Sequence, residues 1–331
     1  MRYAVTGATG FLGANLVRHL LAEGHDVVAL IRKPNDLIAD LSIQTETVPI
    51  DGSAQDALEA VLQGCDGVFH LAGIFDPSPG GAERMAAVHV DATAALCAAA
   101  TAAGVPRMVF CSSSITVGFG SRAQPGDEDT PLDPRAAYGA GGALRAYHDT
   151  KLAAEQLVAA ASGIEGVTVN PDFIIGPWDV KPTSGQLLLS MARGRMPVYP
   201  KGGKCFQNAS DCARGHLLAM ERGKPGRRYL LGSHNLSYLD FMGKVANVVG
   251  CGTPGLALPE WVTTVAGLVG RVGSRVDAHR FAGLNGHVLR AMQSERYRSD
   301  HRARTELGLE PTPIEDGIAE AYAWFKARGY C

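Results

Sequence analysis

Two pairs of residues in this sequence could bring a phenol and an ammonium to one point in space. Tyr147 and Lys151 lie four residues apart in AYHDTKLAAE, and Tyr322 and Lys326 share that spacing in AYAWFKARG. Residues at positions i and i+4 lie on one face of a helix, so either pair could move a proton or simply be a solvated surface pair. A phenol with a pKa of about 10 is a poor base, and a neighbouring ammonium favours its phenolate form. The elements around each pair must decide between them.

Short apolar runs and helical patterns alternate through the first half of the chain. The runs have the length of buried strands, and the segments between them carry apolar residues at helical spacing. This alternation is typical of an α/β fold of the Rossmann type, a doubly wound parallel sheet with helices on both faces. The predicted strands are 3–6, 27–31, 67–73, 107–113 and 167–176, and the predicted helices are 11–24, 54–64, 82–104 and about 143–162.

Helical segments dominate after residue 176. We predict a sheet domain of residues 1–176 with a returning segment at about 208–235, and a smaller, mainly helical region of residues 177–207 and 236–331. The polar segment 121–142 is a long loop of the kind that lines a site or moves. The predicted later elements are helices at 184–194, 210–222, 237–249, 258–272 and 313–328 and a last strand at 227–232 that returns to the sheet.

The composition is that of a globular protein without a field that attracts polyanions. The chain has 331 residues, of which 46% are hydrophobic and 19% charged, and its net charge is −2. We therefore expect no nucleic-acid partner and no membrane partner. The arginines collected in RYRSDHRAR, residues 296–304, are predicted to form a solvated helix face. Seven scattered cysteines, no signal peptide and no apolar run of membrane-spanning length favour reduced thiols, no metal site and a cytoplasmic location.

The segment TGATGFLG, residues 6–13, follows the first predicted strand and opens the first helix. Glycines at this point permit a tight turn, let backbone N–H groups approach a pyrophosphate and let the helix pack on the strand. The positive end of the helix then faces the phosphates. Because strand, glycines and helix come in the required order, we predict a dinucleotide site. Its predicted contacts are Gly7, Thr9, Gly10, Phe11, Leu12 and Gly13.

The end of the second strand indicates which dinucleotide binds. An acid here suits the ribose hydroxyls of NAD, whereas an arginine suits the 2′-phosphate of NADP. The chain has Arg32 and Lys33 at this point and no acid before Asp36. We therefore favour NADP(H) over NAD(H), and two solvated charges are the alternative. Asp51 and Gly52, after the third strand, are candidate contacts of the adenine.

Three serines follow the fifth strand in CSSSITVG, residues 111–118. Ligands of an open parallel sheet bind beyond the carboxyl ends of its strands, so these serines should lie at the cofactor crevice. The helix with Tyr147 and Lys151 comes after the long loop and before the sixth strand, and it flanks the same crevice. Tyr322 lies in the last helix among aromatic residues that are typical of packing. The first pair is therefore the functional candidate.

With these motifs the sequence resembles the extended short-chain dehydrogenase/reductase family, within the NAD-dependent epimerase/dehydratase superfamily, over nearly its whole length. The matching motifs are TGATGFLG, HLAG at 70–73, SSSITVG, YHDTK and NPDFIIGP at 170–177, with closing helices in RARTELGLEPTPIEDGIAEAYAWF. Within the family it is most similar to the dihydroflavonol-reductase-like branch, which includes bacterial proteins similar to hopanoid-associated sugar epimerases. That likeness lies in KPTSGQLLLSMARGRMPVY and GHLLAMERGKPGRRYLLGSHNLSY.

The resemblance implies roles for the matching residues. Tyr147 would exchange a proton with the substrate oxygen, Lys151 would hold the nicotinamide ribose, and Ser114 would orient the carbonyl. Ser112 and Ser113 are predicted to be strand-end residues that satisfy backbone groups, with contact to the cofactor as the alternative for either. The further cofactor contacts that the motifs imply are Leu71, Ala72, Gly73, Pro171, Phe173 and Ile174.

Two positions depart from the family pattern. His89 stands where the family often has an asparagine, and a core histidine is the better interpretation than a new catalytic residue. Ile115 and Thr116 stand where sugar-nucleotide dehydratases carry an acidic pair, which argues against elimination of water. Asp172 and Asp179, near the site, are predicted to be solvated or to cap helices.

The predicted reaction is the NADP(H)-dependent reduction of a ketone of a small organic substrate to a secondary alcohol. A sugar-nucleotide epimerase is the first alternative, although Gly118 replaces a tyrosine of the epimerases and Lys204 lies near the position of their arginine. A module that senses NADP(H) without chemistry is the second. The resemblance is compatible with a homodimer. Candidates for the substrate wall, which could equally be packing residues, are Phe75, Tyr138, Trp178 and Phe206.

Overall fold

The main sheet is parallel and lies at the centre of the molecule, which is described here by a computed structural model of residues 1–33, 36–259, 261–262 and 291–331. Its strands, numbered in chain order, are β1 Arg2–Thr6, β2 Asp26–Leu30, β3 Gln44–Glu46, β4 Gly67–His70, β5 Arg107–Cys111, β6 Glu165–Asn170 and β10 Arg228–Leu230. They are hydrogen-bonded in the order β10-β6-β5-β4-β1-β2-β3, and every pair is parallel. The predicted Rossmann-type sheet and the returning strand β10 are therefore confirmed.

Helices cover both faces of the sheet. On one face, buried side chains of the helices Phe11–Ala22 and Ala209–Arg222 pack against β1 and β6. On the other face, those of Gln55–Leu62, Gly81–Ala102 and Ala143–Ala160 pack against β4 and β5. Full burial of one leucine, such as Leu16 or Leu58, stabilises the fold by about 1.5–3 kcal/mol. The helices are α1 Phe11–Ala22, α2 Gln55–Leu62, α3 Gly81–Ala102, α4 Pro134–Tyr138, α5 Ala143–Ala160, α6 Gly185–Ala192, α7 Ala209–Arg222, α8 Tyr238–Val249 and α9 Ile314–Ala327.

Helix α3 differs from the prediction in two respects. It contains a π-helical turn at Ala87–Asp91, which rotates His89 into the protein interior. By its length of 22 residues and a mean hydropathy of 1.4 it could also cross a membrane, a feature that the prediction did not single out because Glu83, Arg84 and Asp91 interrupt the apolar run. In this fold the helix packs on the sheet through residues such as Leu96 and Ala100, which are fully buried.

The predicted strand 167–176 is two strands that belong to different sheets. Strand β6 ends at Asn170, and Pro171, which has no N–H to donate, separates it from the next strand. The second sheet was missed by the sequence analysis because its strands are short and carry polar residues. Its members are β7 Phe173–Ile175, β9 Gly203–Asn208, β11 His234–Ser237 and β13 Glu295–Arg296, with a separate pair formed by β8 Val198–Tyr199 and β12 Leu256–Ala257.

The arginine-rich run 296–304 is only in its second part the solvated helix face that we predicted. From residue 301 the chain is helical and Arg304 is exposed, but the first part of the run differs. Arg296 ends strand β13, which pairs with β9 at Lys204, and Arg298 is only 3% exposed. These side chains therefore face the interior between the two sheets. The predicted helix 258–272 lies largely outside the described residues.

Candidate active site

The glycine loop lies in close contact with the end of β4. Gly7 has a φ of +71°, and a Cβ atom added there would lie 2.7 Å from the backbone N of Ala72. A Cβ at Gly13 would collide with the carbonyl oxygen of Gly7. The N–H of Gly10 donates to the same oxygen at 2.9 Å. Only glycine fits such a turn, so the loop keeps its backbone open beside Leu71 and Ala72 for a close ligand.

A buried chain of hydrogen bonds fixes this loop to β4 and α3. Thr6 accepts from the N–H of Ala72 at 3.2 Å and donates to Nδ1 of His70 at 2.7 Å. Nε2 of His70 donates to Thr93 at 3.0 Å, and Thr93 donates to the carbonyl of His89. Burial, with the charge of Lys151 as a smaller cause, lowers the pKa of His70 to about 3, so it stays neutral. The histidine that ends a buried strand in HLAG is the sequence feature that indicates this network, which the sequence analysis did not predict.

Tyr147 is half-buried between two rings. The ring of Phe75 lies 5.6 Å away and that of His89 lies 5.5 Å away, both edge to face. Burial raises the pKa of Tyr147 to about 12; a charge on Cys111 would raise it further, and a hydrogen bond with the Ser113 side chain opposes the rise. The phenol therefore keeps its proton at neutral pH. The polypeptide alone does not show the shift toward phenolate that we expected.

Lys151 is buried at the point where β5 ends and HLAG begins its turn. Its Nζ donates to the carbonyl of Cys111 at 2.9 Å and lies 4.9 Å from the centre of the Phe110 ring. A Cβ at Gly73 would lie 3.2 Å from this Nζ, so glycine leaves room for the ammonium. Burial lowers the pKa of Lys151. The ammonium therefore lies between two of the segments that the motifs connect with the cofactor.

Ser112 anchors the end of β5 away from the site. Its hydroxyl donates to Oε1 of Glu155, and the same oxygen accepts from Thr116 at 2.6 Å and from Nδ2 of Asn170 at 2.7 Å. The three donors tie β5, β6 and α5 together, so the Ser112 hydroxyl binds a carboxylate rather than the backbone groups that we predicted.

Ser113 and Ser114 both line the cavity beside Tyr147. The family motif points to Ser114, whose N–H donates to the carbonyl of Pro171 at 2.8 Å. The side chain whose interaction with the Tyr147 hydroxyl opposes the rise of its pKa is that of Ser113. Ser113 also accepts from the N–H of Ile115 at 3.3 Å. The family motif and the electrostatics of Tyr147 therefore point to neighbouring serines.

His89 is a neutral core residue, in agreement with our interpretation. Its Nε2 accepts from the N–H of Ile74 at 3.1 Å, so Nδ1 carries the proton and donates to Thr150 at 2.8 Å. Thr150 donates in turn to the carbonyl of Ala146 at 2.8 Å. Burial and the charge of Lys151 lower the pKa of His89 to about 3. Both nitrogens are engaged, so the ring supports the Tyr147 helix rather than carrying protons.

A cavity of about 550 Å³ adjoins Tyr147. Phe75 and Tyr138 line it, and the Tyr138 hydroxyl donates to the carbonyl of Ile115 at 2.9 Å. Phe173, which follows Pro171, is a third aromatic wall. Most of the exposed lining surface is apolar, as in small-molecule sites, although many of the lining residues also carry a polar group.

Trp178 and Phe206 lie outside this cavity, contrary to our prediction. The Trp178 ring packs 3.5 Å from the Arg18 guanidinium and 5.9 Å from the Trp324 ring, which places it between α1 and α9. Phe206 is 0% exposed and stacks on Phe241 with ring centres 4.0 Å apart. Aromatic type alone could not show which side of a strand or loop each ring occupies.

Asp172 is the centre of a buried ion cluster that the sequence did not reveal. Its side chain is fully buried, and its Oδ2 accepts from Nη1 of Arg298 at 2.5 Å. Arg298 also donates to the carbonyls of Gly118 and Val117 at 3.1 and 3.0 Å. Nζ of Lys204 lies 3.5 Å from Oδ1 of Asp172. The prediction of a solvated or capping Asp172 is wrong.

Asp179 does cap, as we predicted. Its Oδ2 accepts from the N–H groups of Thr183 at 2.9 Å and Gly185 at 3.1 Å, where α6 begins.

Arg32 and Lys33 are exposed at the end of β2 and form no ion pair with any residue in the part of the chain described. Asp51 is also exposed, and it accepts from the N–H and hydroxyl of Ser53. Gly52 has a φ of +86°. These residues are open to a ligand along the edge of the sheet.

The fold and the geometry of the site are those of a dinucleotide-dependent enzyme built on an open parallel sheet. The chain belongs to the NAD dependent epimerase/dehydratase family, whose sequence model matches residues 3–232, and thus to the extended short-chain dehydrogenases/reductases that its motifs resemble. This confirms the predicted family.

Relatives are named after several reactions. The chain is 35% identical to a Synechocystis sp. protein named "Putative dihydroflavonol 4-reductase", covering 99% of this chain and 95% of the relative. It is 33% identical to "Sterol demethylase protein B" of Methylococcus capsulatus, covering 99% of both chains. A crystal structure of a nucleoside-diphosphate-sugar epimerase from Pseudomonas aeruginosa is similar with a TM-score of 0.79 and 26% identity, over 100% of this chain and 99% of that one. Reductases and epimerases thus both occur among the relatives.

Proposed function

We propose that this protein is an NADP(H)-dependent carbonyl reductase that converts a ketone of a small organic molecule to a secondary alcohol. The observation that carries the proposal is the protonated Tyr147 phenol, with a pKa of about 12, beside a mostly apolar cavity of about 550 Å³. When bound, the reduced nicotinamide supplies a hydride to the carbonyl carbon. Tyr147 gives its proton to the carbonyl oxygen as that bond forms, and the product is the alcohol.

The chain's own residues account for binding and orientation. The glycine loop, where a Cβ at Gly7 or Gly13 would strike backbone, leaves space for a pyrophosphate against the start of α1. Lys151 would hold ribose hydroxyls from its buried place beside Gly73. Ser113 or Ser114 would donate to the substrate oxygen beside Tyr147.

A sugar-nucleotide epimerase remains the second candidate, supported by the epimerase structure at 26% identity. Two observations weigh against it. A Cβ at Gly118 would lie 2.6 Å from the carbonyl oxygen of Pro131, so no tyrosine fits there. Lys204, near the position of the epimerases' arginine, already pairs with Asp172. A diphosphate would have to compete with that carboxylate for the lysine.

The deciding experiment is to release and identify the nucleotide in freshly purified protein and then titrate the stripped protein with both dinucleotides. Exchangeable and preferential binding of NADP(H) is expected for the reductase. Retained NAD that dialysis does not remove would overturn the reductase proposal in favour of an epimerase.

The charge at Arg32 gives a first variant prediction. Arg32→Ala is expected to weaken binding of NADPH about tenfold or more, because the variant loses charge-assisted hydrogen bonds to the 2′-phosphate. The affinity for NADH should not change, because NADH has no 2′-phosphate. Dissociation constants for both dinucleotides measure this effect. Arg135, an exposed arginine in the first turn of α4, provides a matched Arg135→Ala control. Equal weakening of both dinucleotides by Arg32→Ala would contradict the assignment.

The pKa of Tyr147 gives a pH prediction. Reduction needs the protonated phenol. The rate of reduction should therefore not be altered by titration of Tyr147 between about pH 6 and 9, because the Tyr147 pKa of about 12 lies above this range. Oxidation of the alcohol needs the phenolate, so its rate should rise about tenfold per pH unit across the same range. Initial rates in both directions at saturating dinucleotide measure this. An oxidation rate that levels off near pH 7 would show that the loaded site lowers the pKa of Tyr147 by several units.

A further inference from the structure

The charged residues that line the cavity are unequal in sign. They are one carboxylate, Asp172, and three cations, Lys204, Arg296 and Arg298. Asp172 is already paired with two of the cations, Arg298 and Lys204. Arg298 is also bonded to two backbone carbonyls, so its donors are committed to the protein. Arg296 is left over.

Arg296 has few partners of its own. Its Nη2 donates to the carbonyl of Ala137 at 3.3 Å, and its buried Nε has no acceptor. It forms no ion pair with any carboxylate among the described residues. Its guanidinium lies 4.4 Å from the centre of the Phe119 ring and 5.7 Å from that of Tyr138, which hold it beside the cavity.

The surroundings make this charge costly without an anion. Arg296 is the register partner of Lys204 on the neighbouring strand, and after burial the like charge of Arg298 is a further cause that lowers the pKa of Arg296. Burial lowers the pKa of Arg296, which means that the charged guanidinium has lost hydration that its protein contacts do not fully replace. Both costs would be offset by one negative charge in the cavity.

We infer that the cavity binds an otherwise apolar substrate that carries a carboxylate, and that Arg296 is the residue that receives it. Among the described residues that line the cavity, Arg296 is the cation without an ion pair, and a guanidinium fork matches one carboxylate in two parallel hydrogen bonds. Phe75, Phe173 and Leu187 supply the apolar walls for the remainder of the molecule. This inference rests on the proposed function, because it places the acidic group on the same molecule as the ketone. It makes Arg296 a determinant of specificity and leaves the proton transfer to Tyr147.

Binding of matched probes tests the inference without turnover. The probes are 2-naphthoate, 2-naphthamide and 2-naphthyl phosphate, titrated calorimetrically into dinucleotide-loaded protein. Naphthoate is expected to bind at least about tenfold more tightly than the uncharged amide, because hydrogen bonds to a charged group are worth about that factor. Equal binding of naphthoate and naphthamide overturns the inference. Tighter binding of the phosphate than of naphthoate overturns the choice of a carboxylate.

Two variants locate the receiving residue. Arg296→Met is expected to remove the preference for naphthoate, and Lys204→Met, which removes the same charge from the same cavity, is expected to keep most of it. An unchanged preference in Arg296→Met, or an equal loss in both variants, overturns the role of Arg296. If Arg296→Met does not fold, Arg296→Gln replaces it, and the comparison of probes on the natural protein still decides the class of ligand. Failure here differs from failure of the proposed function, because Tyr147→Phe reports on turnover and should keep the preference for naphthoate.

Discussion

Replacing Tyr147 with phenylalanine is expected to lower the turnover of a carbonyl substrate by at least about 100-fold and to leave the affinity for the dinucleotide unchanged. Phenylalanine keeps the ring that packs edge to face against Phe75 and His89 and removes only the hydroxyl that donates the proton. Steady-state rates and a dinucleotide titration on the same preparation measure both quantities.

The chain contains its own control for this substitution. Tyr322 has the same spacing to Lys326, but it lies on α9 in the core of the second sheet beside Trp324 and Phe325. Tyr322→Phe should therefore leave turnover unchanged. Unchanged turnover in Tyr147→Phe as well would remove the catalytic assignment and favour a module that senses the dinucleotide.

The two serines can be separated in the same assay. The Ser113 side chain opposes the rise in the pKa of Tyr147, whereas the family motif points to Ser114. If Ser113 orients the substrate oxygen, Ser113→Ala should lower turnover about 100-fold, the size expected for one lost donor to the reacting oxygen, and Ser114→Ala should lower it less. The opposite order would show that the motif identifies the donor better than the geometry does.

The sheet domain could be predicted from the sequence because its signals are local. Each buried strand is a short apolar run, each helix has an apolar face, and the glycine loop lies where β1 passes into α1. The positions of Tyr147 and Lys151 then followed from the order of the elements. The same local signals gave the returning strand β10.

The second sheet and its charged cluster could not be predicted, because their signals are not local. Strand β13 has two residues, and nothing in its own sequence distinguishes it from a solvated helix turn. Arg298 can be buried because its charge is paired with that of Asp172. The two residues lie 126 positions apart in the sequence, so no local pattern reveals the pair. Trp178 and Phe206 show the same difficulty for aromatic residues, since the choice between core and cavity depends on partners far along the chain.

The buried ion pair of Asp172 and Arg298 gives the largest expected effect on stability. Asp172→Asn keeps the shape of the side chain but leaves the charge of Arg298, which is 3% exposed, without a carboxylate. Breaking a buried pair in this way costs about 3–5 kcal/mol, because the remaining ion stays desolvated. The free energy of unfolding should fall by that amount, and urea denaturation followed by circular dichroism measures it.

An exposed pair on the same protein provides the matched control. Arg122 and Asp240 lie 3.0 Å apart, but their side chains are 58% and 47% exposed, so Asp240→Asn should change the free energy of unfolding by no more than about 1 kcal/mol. The double variant Asp172→Asn with Arg298→Met should recover part of the loss, because it removes the unpaired charge together with its partner. Equal and small effects of Asp172→Asn and Asp240→Asn would show that water solvates the Arg298 guanidinium once the carboxylate is lost. The cluster would then serve the cavity and its charge rather than the stability of the fold.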